Sequence, residues 1–129
     1  MIDLSIIIVS YNTSGFLKEC IESIKKNTEK VNYEIIVVDN ASSDNSLHIL
    51  EKHFPQVLVI ESLENLGFSK ANNAGVKKSK GRYVLFLNPD TVVYKDSLFG
   101  MVEFMNEHKE AGAATCRLVM PDGRLDDAS

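Results

Sequence analysis

The chain has little cysteine, little histidine, no excess of positive charge and no long apolar run. Each shortage closes a class of function. Its two cysteines, Cys20 and Cys116, fall within apolar patterns and read as small buried hydrophobes. With so few, and with Met1-Ile2-Asp3-Leu4 leading straight into a strand-like run, the expected setting is a reducing cytosol. His48, His53 and His108 form no ligand cluster with either cysteine and read as surface residues. Fourteen Lys and Arg against eighteen Asp and Glu give a net charge of −4, which argues against a dedicated nucleic-acid binder. No stretch approaches the ~18 apolar residues that span a bilayer. Two nucleotide-binding signatures are missing as well. The loop Ser10-Tyr11-Asn12-Thr13-Ser14-Gly15 holds a single glycine, so a dinucleotide G-x-G-x-x-G fails there. No G-x-x-x-x-G-K-[ST] phosphate loop occurs anywhere.

What is present is an alternation of two periods. At 129 residues, 44% apolar and 25% charged, the chain is one domain or part of one, long enough for a real core. Leu4 to Val9, Glu34 to Val38, Val57 to Ile60, Tyr83 to Leu87 and Ala113 to Val119 predict five strands. Between them Phe16, Leu17, Cys20, Ile21 and Ile24 recur at helical spacing, and Leu47, Ile49, Leu50 and Phe54 follow the capping oxygens of Ser42-Ser43-Asp44. Pro55 should close that second helix. A third helix carries a small face, Ala71, Ala74 and Gly75, and a fourth follows Asp96-Ser97 with Leu98, Met101, Val102 and Met105 as its stripe. Lys77, Lys78, Lys80 and Arg82 read as a solvated helix end whose cations complement the macrodipole. The rhythm implies an α/β fold, a mostly parallel sheet flanked by helices. Pro121-Asp122-Gly123 marks a turn.

Two of these apolar runs end in a carboxylate. Ile35-Ile36-Val37-Val38 stops at Asp39-Asn40, and Leu85-Phe86-Leu87 stops at Asn88-Pro89-Asp90-Thr91. A charge at the end of a buried strand wastes a packing position unless it holds something. In open α/β sheets ligands lie outside the carboxyl ends of the strands, where the order reverses. Taken singly, Asp39 suits a turn cap as well as a ligand contact, and Asp90 suits a Pro-Asp turn. Taken together they point to a phosphorylated ligand. With no glycine nest or phosphate-loop lysine to neutralise a diphosphate, a divalent cation on a carboxylate is the simplest device.

These segments carry a resemblance. Ile6-Ile7-Ile8-Val9-Ser10-Tyr11-Asn12, Val37-Val38-Asp39-Asn40-Ala41-Ser42-Ser43-Asp44, Asn65-Leu66-Gly67-Phe68 with Asn72-Asn73-Ala74-Gly75, and Asn88-Pro89-Asp90-Thr91 resemble family 2 glycosyltransferases of the GT-A (Rossmann-like) fold, in wording the bacterial rhamnosyltransferase-like branch. The resemblance implies transfer of a sugar, with inversion, from a UDP- or dTDP-linked donor to a glycan or lipid-linked acceptor in cell-surface polysaccharide synthesis. It implies that Ser10, Tyr11 and Asn12 line the base and ribose pocket and that Asp39 accepts from the pyrimidine ring N–H. Asn65, Gly67, Asn72 and Asn88 are the other substrate-binding candidates. Asp90 is the implied ligand of Mn2+ or Mg2+, hard cations suited to oxygen donors. Asn88 stands where the family's D-x-D has its first acid, and Asn72 where it often has arginine.

The resemblance further implies that residues 1–129 form the nucleotide-sugar-binding part of a GT-A domain, with the acceptor side missing and the catalytic base beyond Ser129. Asp122, Asp126 and Asp127 sit in a turn and a terminus, which suits solvated acids better. The implied location is the cytoplasm, peripheral at the inner membrane face, and uncovered apolar surface offers a route to a homo-oligomer. Two other readings stay open: a non-catalytic nucleotide-sugar-binding module left by truncation, and a signalling receiver domain, which lacks its paired acids at Ser10-Tyr11-Asn12.

Overall fold

Ile6-Ile7-Ile8 is a β-branched run that packs on both faces of a sheet, and β1 (Leu4–Ser10) buries every residue from Leu4 to Ile8. In this computed structural model, which describes residues 1–116, 118–120 and 122–124, β1 lies inside a four-stranded sheet. Its partners are β2 (Tyr33–Asp39) on one side and β4 (Tyr83–Phe86) on the other. β3 (Leu58–Glu61) pairs with the far edge of β2, giving the order β3-β2-β1-β4 with every pair parallel. The chain steps outward from β1 to β3 and then crosses back to β4. The order therefore reverses at β1.

Side-chain alternation splits the core in two. Ile6, Ile8, Ile35 and Val37 face α1 (Ser14–Asn27), α2 (Ser46–His53) and α4 (Ser97–Glu107), meeting Leu17, Ile21, Ile24, Leu50, Leu98 and Val102. Ile7, Ile36 and Val38 point the other way, onto Ala71 of α3 (Phe68–Lys78). The small face of α3 has a steric cause. A Cβ on Gly75 would lie 2.6 Å from Ile7 Cγ2, so only glycine lets the helix sit this close. α2 ends at His53, ahead of Pro55 as expected, because the residue before a proline is pushed out of helical backbone.

Four expectations change. Ala113 to Val119 forms no fifth strand among its described residues: 113–116 and 118 are irregular, and Val119 makes a single bridge. Ala113 and Ala114 are exposed and have poor β propensity, so nothing compels a ladder on the outer edge of β4. Of the turn after it, Pro121 lies outside the described residues, while Gly123 has φ +88 and its N–H donates to the Met120 carbonyl at 2.9 Å. Cys116 is exposed because it rides on that irregular segment, whereas Cys20 is buried. Phe16 is 57% exposed, since Leu17, Cys20, Ile21 and Ile24 already complete one helical face and Phe16 falls a residue off it. Asp96 occupies the α4 N-cap with left-handed backbone, φ +58, but its carboxylate turns to Lys30 Nζ at 3.3 Å. No helix among the described residues is long and apolar enough to cross a membrane.

Candidate functional site at the carboxyl edge of the sheet

Register brings the strand ends to one edge. Ser10 pairs with Asp39, and the Leu87 N–H donates to the Ile7 carbonyl, so Asn88 to Thr91 leave β4 beside the end of β1. β1 lies between the two acids. Asp39 ends β2 on one side of it, and Asp90 lies in the loop that leaves β4 on the other.

At the β1–β2 side the side chains mainly hold one another. Ser10 is fully buried, with its hydroxyl 2.6 Å from Thr13 Oγ1. Asn12 takes left-handed backbone, φ +53, and its Oδ1 accepts from the Ser43 N–H at 2.8 Å and the Asp44 N–H at 3.3 Å. Its own N–H donates to Ser42 Oγ at 3.0 Å, which leaves the Asn12 amide nitrogen as the polar group able to face a ligand. Tyr11 is half-exposed beside it.

Asp39 is the anomaly. It has no exposed surface, and its Oδ2 accepts from the Ser42 N–H at 3.0 Å. Its Oδ1 is buried with no hydrogen-bond partner among the described residues. Buried polar atoms are nearly always paired, so an orphan oxygen at a strand end marks a place for an external donor. A ligand reaches it only when the loops over it give way.

Asn40 is a residue that sequence reasoning passed over. Its side chain accepts from the Leu66 N–H at 3.0 Å and donates to the Gly67 carbonyl at 3.2 Å, tying the end of β2 to the loop that starts α3. Asn65 Oδ1 accepts from the Gly67 N–H at 2.9 Å, and Gly67 itself has φ +80. Asn72 is buried on α3 against the sheet. The only signal for Asn40 was an amide directly after a strand-ending acid.

Asp44 pins two helices. It lies outside both, yet its carboxylate accepts from the Ser14 N–H that opens α1 and from the Ser46 N–H that opens α2, each at 3.0 Å. Burial alone would push its carboxyl up, but the Ser46 hydroxyl and these amides outweigh that and carry it from 3.8 down to about 2. Both helix N-termini also favour the charge. A carboxyl depressed by folding stabilises the native state above its unfolded value, and that contribution goes as pH falls through its folded value. The expected result is a difference in urea midpoint between wild type and Asp44→Asn that is constant near neutral pH and shrinks between about pH 4 and pH 2. A difference that stays unchanged through that window would remove Asp44 from this role.

The other side of the crevice is anchored from α1. Ser23 Oγ accepts from the Val93 N–H at 2.9 Å, and Asn27 Nδ2 donates to the Val93 carbonyl at 2.8 Å. Cys20 lies under the same turn, its Sγ 3.9 Å from the Asn88 carbonyl, with burial pushing the thiol up to about 11. The Asn88 carbonyl is also taken by the Thr91 hydroxyl at 2.7 Å. That leaves the Asn88 amide and the Asp90 carboxylate exposed in the loop after β4. Among the described residues no three His, Cys, Asp or Glu gather to hold a metal. The donor set thus fits a hard cation only where a ligand's phosphates and water supply the other oxygens, as is usual for Mg2+.

The family model for glycosyl transferase family 2 matches residues 5–128. The chain belongs to glycosyl transferase family 2, and its fold is GT-A. It is 37% identical over 111 residues to a poly(ribitol-phosphate) beta-glucosyltransferase of Bacillus spizizenii, covering 82% of this chain and 18% of that relative. It is 32% identical over 112 residues to the poly(ribitol-phosphate) beta-N-acetylglucosaminyltransferase TarS of Staphylococcus aureus, covering 84% and 20%. The crystal structure of TarS 1-349 in complex with UDP-GlcNAc superposes with a TM-score of 0.75 at 31% identity, over 83% of this chain and 32% of that one. A mannosyltransferase of Pyrobaculum calidifontis, in complex with GDP-Man and Mn2+, shares the fold at 23% identity and a TM-score of 0.72, over 81% of this chain and 34% of that one. The chain spans about a fifth of the length of the first two relatives. The narrower likeness to rhamnosyltransferases has no counterpart in these names, two of which are poly(ribitol-phosphate) transferases.

Proposed function

We propose that this chain carries the donor half of a transferase that moves a sugar from a nucleoside diphosphate, UDP or dTDP, to a glycan or lipid-linked acceptor of a cell-surface polysaccharide, with inversion. The relatives' names favour UDP as the nucleotide and a phosphodiester polymer as the product class. The observation that carries the reading is the unpartnered Asp39 Oδ1 at the end of β2, next to β1 where the strand order reverses. A pyrimidine ring N–H completes it, with Tyr11 and the Asn12 amide on the β1 side of the base. Asn65 and Gly67 shape the wall that Asn40 fixes to β2, with Asn72 behind it.

Asp90 would hold Mn2+ or Mg2+ at the diphosphate, with Asn88 beside it as a substrate contact. The chemistry supplied there is neutralisation of the leaving group's charge. Asp122 suits a solvated turn acid better than the acceptor's base, its exposed carboxylate pairing with Arg124 Nε at 2.6 Å. Asp126 and Asp127 lie outside the described residues.

Calorimetric titration with UDP, with and without Mn2+, tests the assignment. Asp90→Ala is expected to weaken metal-dependent UDP binding by about tenfold, the worth of one charge-assisted contact, and to leave metal-free binding unchanged. Equal affinity of mutant and wild type in Mn2+ would remove Asp90 from the site. Absence of UDP affinity in the folded wild type would sink the donor reading itself.

A further inference from the structure

The cations that sequence reading assigned to a solvated helix end have a second feature. Between Glu64 and Asp90 the chain has five cations, Lys70, Lys77, Lys78, Lys80 and Arg82, and no acid. The remaining residues hold nine Lys and Arg against all eighteen Asp and Glu. Lys70, Asn73 and Lys77 are spaced i, i+3 and i+7, so they share one face of α3, with Lys78 beside them. With the half-buried Ile60, Leu66 and Ala74 they line a groove of about 490 Å³ between α3 and β3. None of its three lysines forms an ion pair among the described residues.

We propose that this groove binds a linear, phosphate-rich polymer. Lys70 and Lys77 stand roughly 10 Å apart along the helix, which spans more than one repeat of such a chain. α3 starts at the carboxyl edge, where Asn40 grips Gly67, and runs to the opposite edge of the sheet, so the lysine row leads away from the donor crevice. The nearby acids do not close it. Glu61 follows Ile60 in β3 and points to the other face, and Glu64 lies in the loop ahead of α3. A flat anionic membrane fits less well. The most exposed apolar side chain near this end, Leu63 at 98%, is followed directly by Glu64, an acid that an anionic surface repels.

The site stands apart from the donor crevice, needing neither Asp39 nor Asp90. Fluorescently labelled inorganic polyphosphate is the probe, titrated over a series of salt concentrations. The double variant Lys77→Glu/Lys78→Glu is expected to bind it about tenfold more weakly and with a flatter salt dependence. The control Lys25→Glu/Lys26→Glu, at the end of α1, is expected to bind like wild type, and both variants to keep the wild-type response to UDP. Asp39→Asn should keep its polyphosphate affinity, so the donor reading and this one fail separately. Equal weakening in the α1 control, no binding of polyphosphate by wild type, or binding to anionic lipid vesicles alone would each overturn the proposal.

Discussion

Asp39→Asn is expected to leave the protein as stable as wild type, or slightly more so, while removing most of its affinity for UDP. The side chain keeps its shape, and the amide oxygen can still accept from the Ser42 N–H as Oδ2 does. The amide nitrogen then replaces the unpartnered Oδ1. Burying a neutral amide without a partner costs less than burying a charged oxygen without one, so folding gains or breaks even. Toward a pyrimidine ring N–H the exchange sets donor against donor. Loss of a hydrogen bond to a charged acceptor is worth about 1.5–3 kcal/mol, roughly 10–150-fold in Kd. Urea denaturation measures the first effect and the UDP-induced rise in Tm the second. A variant that melts early and still responds fully to UDP would mean that Asp39 serves the turn into α2 and nothing else.

The fold was legible wherever one segment declares its own surroundings. A strand covered on both faces must be apolar along its middle, and β1 and β2 are over residues 6–9 and 35–38, so their existence followed from Ile6-Ile7-Ile8 and Ile35-Ile36-Val37-Val38 alone. The acids and amides at the strand ends were legible for the complementary reason, as residues that spoil an otherwise perfect packing run. What stayed hidden is relational. Nothing local to Asp44 says that it reaches Ser14, thirty residues earlier, and nothing local to Asn40 says that it holds Leu66 and Gly67. Nothing local to Asn12 says that its oxygen is spent on Ser43 and Asp44. The Ala113 to Val119 segment misled because its alternation is real, yet a strand needs an edge that rewards pairing as well as a pattern. Phe16 misled by one residue, which on a helix is about 100° and decides between core and solvent.

Gly81→Ala is expected to be the most damaging of the conservative glycine substitutions, costing about 3 kcal/mol and roughly 10 °C in Tm. A Cβ at this position would lie 2.6 Å from the Ser5 N, 2.7 Å from Ser5 Oγ and 2.9 Å from the Leu4 carbonyl carbon. Two of those atoms are main chain in the central strand, which cannot step aside without disturbing the ladders to both β2 and β4. The same contact is also wired. The Gly81 N–H donates to Ser5 Oγ at 2.8 Å, Ser5 Oγ donates to Glu34 Oε1 at 2.7 Å, and the Lys80 N–H donates to that carboxylate at 2.7 Å. Ser5 is fully buried, so moving Gly81 away leaves a hydroxyl short of a partner where water does not reach. Gly75→Ala should cost less, because its Cβ meets only the side chain of Ile7, although that side chain is locked in the core. Gly100→Ala should have the opposite sign. Nothing lies within 4 Å of its Cβ, and in the interior of α4 alanine gains about 0.5–1 kcal/mol over glycine. Thermal and urea unfolding of the three variants give the ranking directly. Were Gly81→Ala to melt with Gly100→Ala, the close approach of the α3–β4 loop to β1 would not exist in solution.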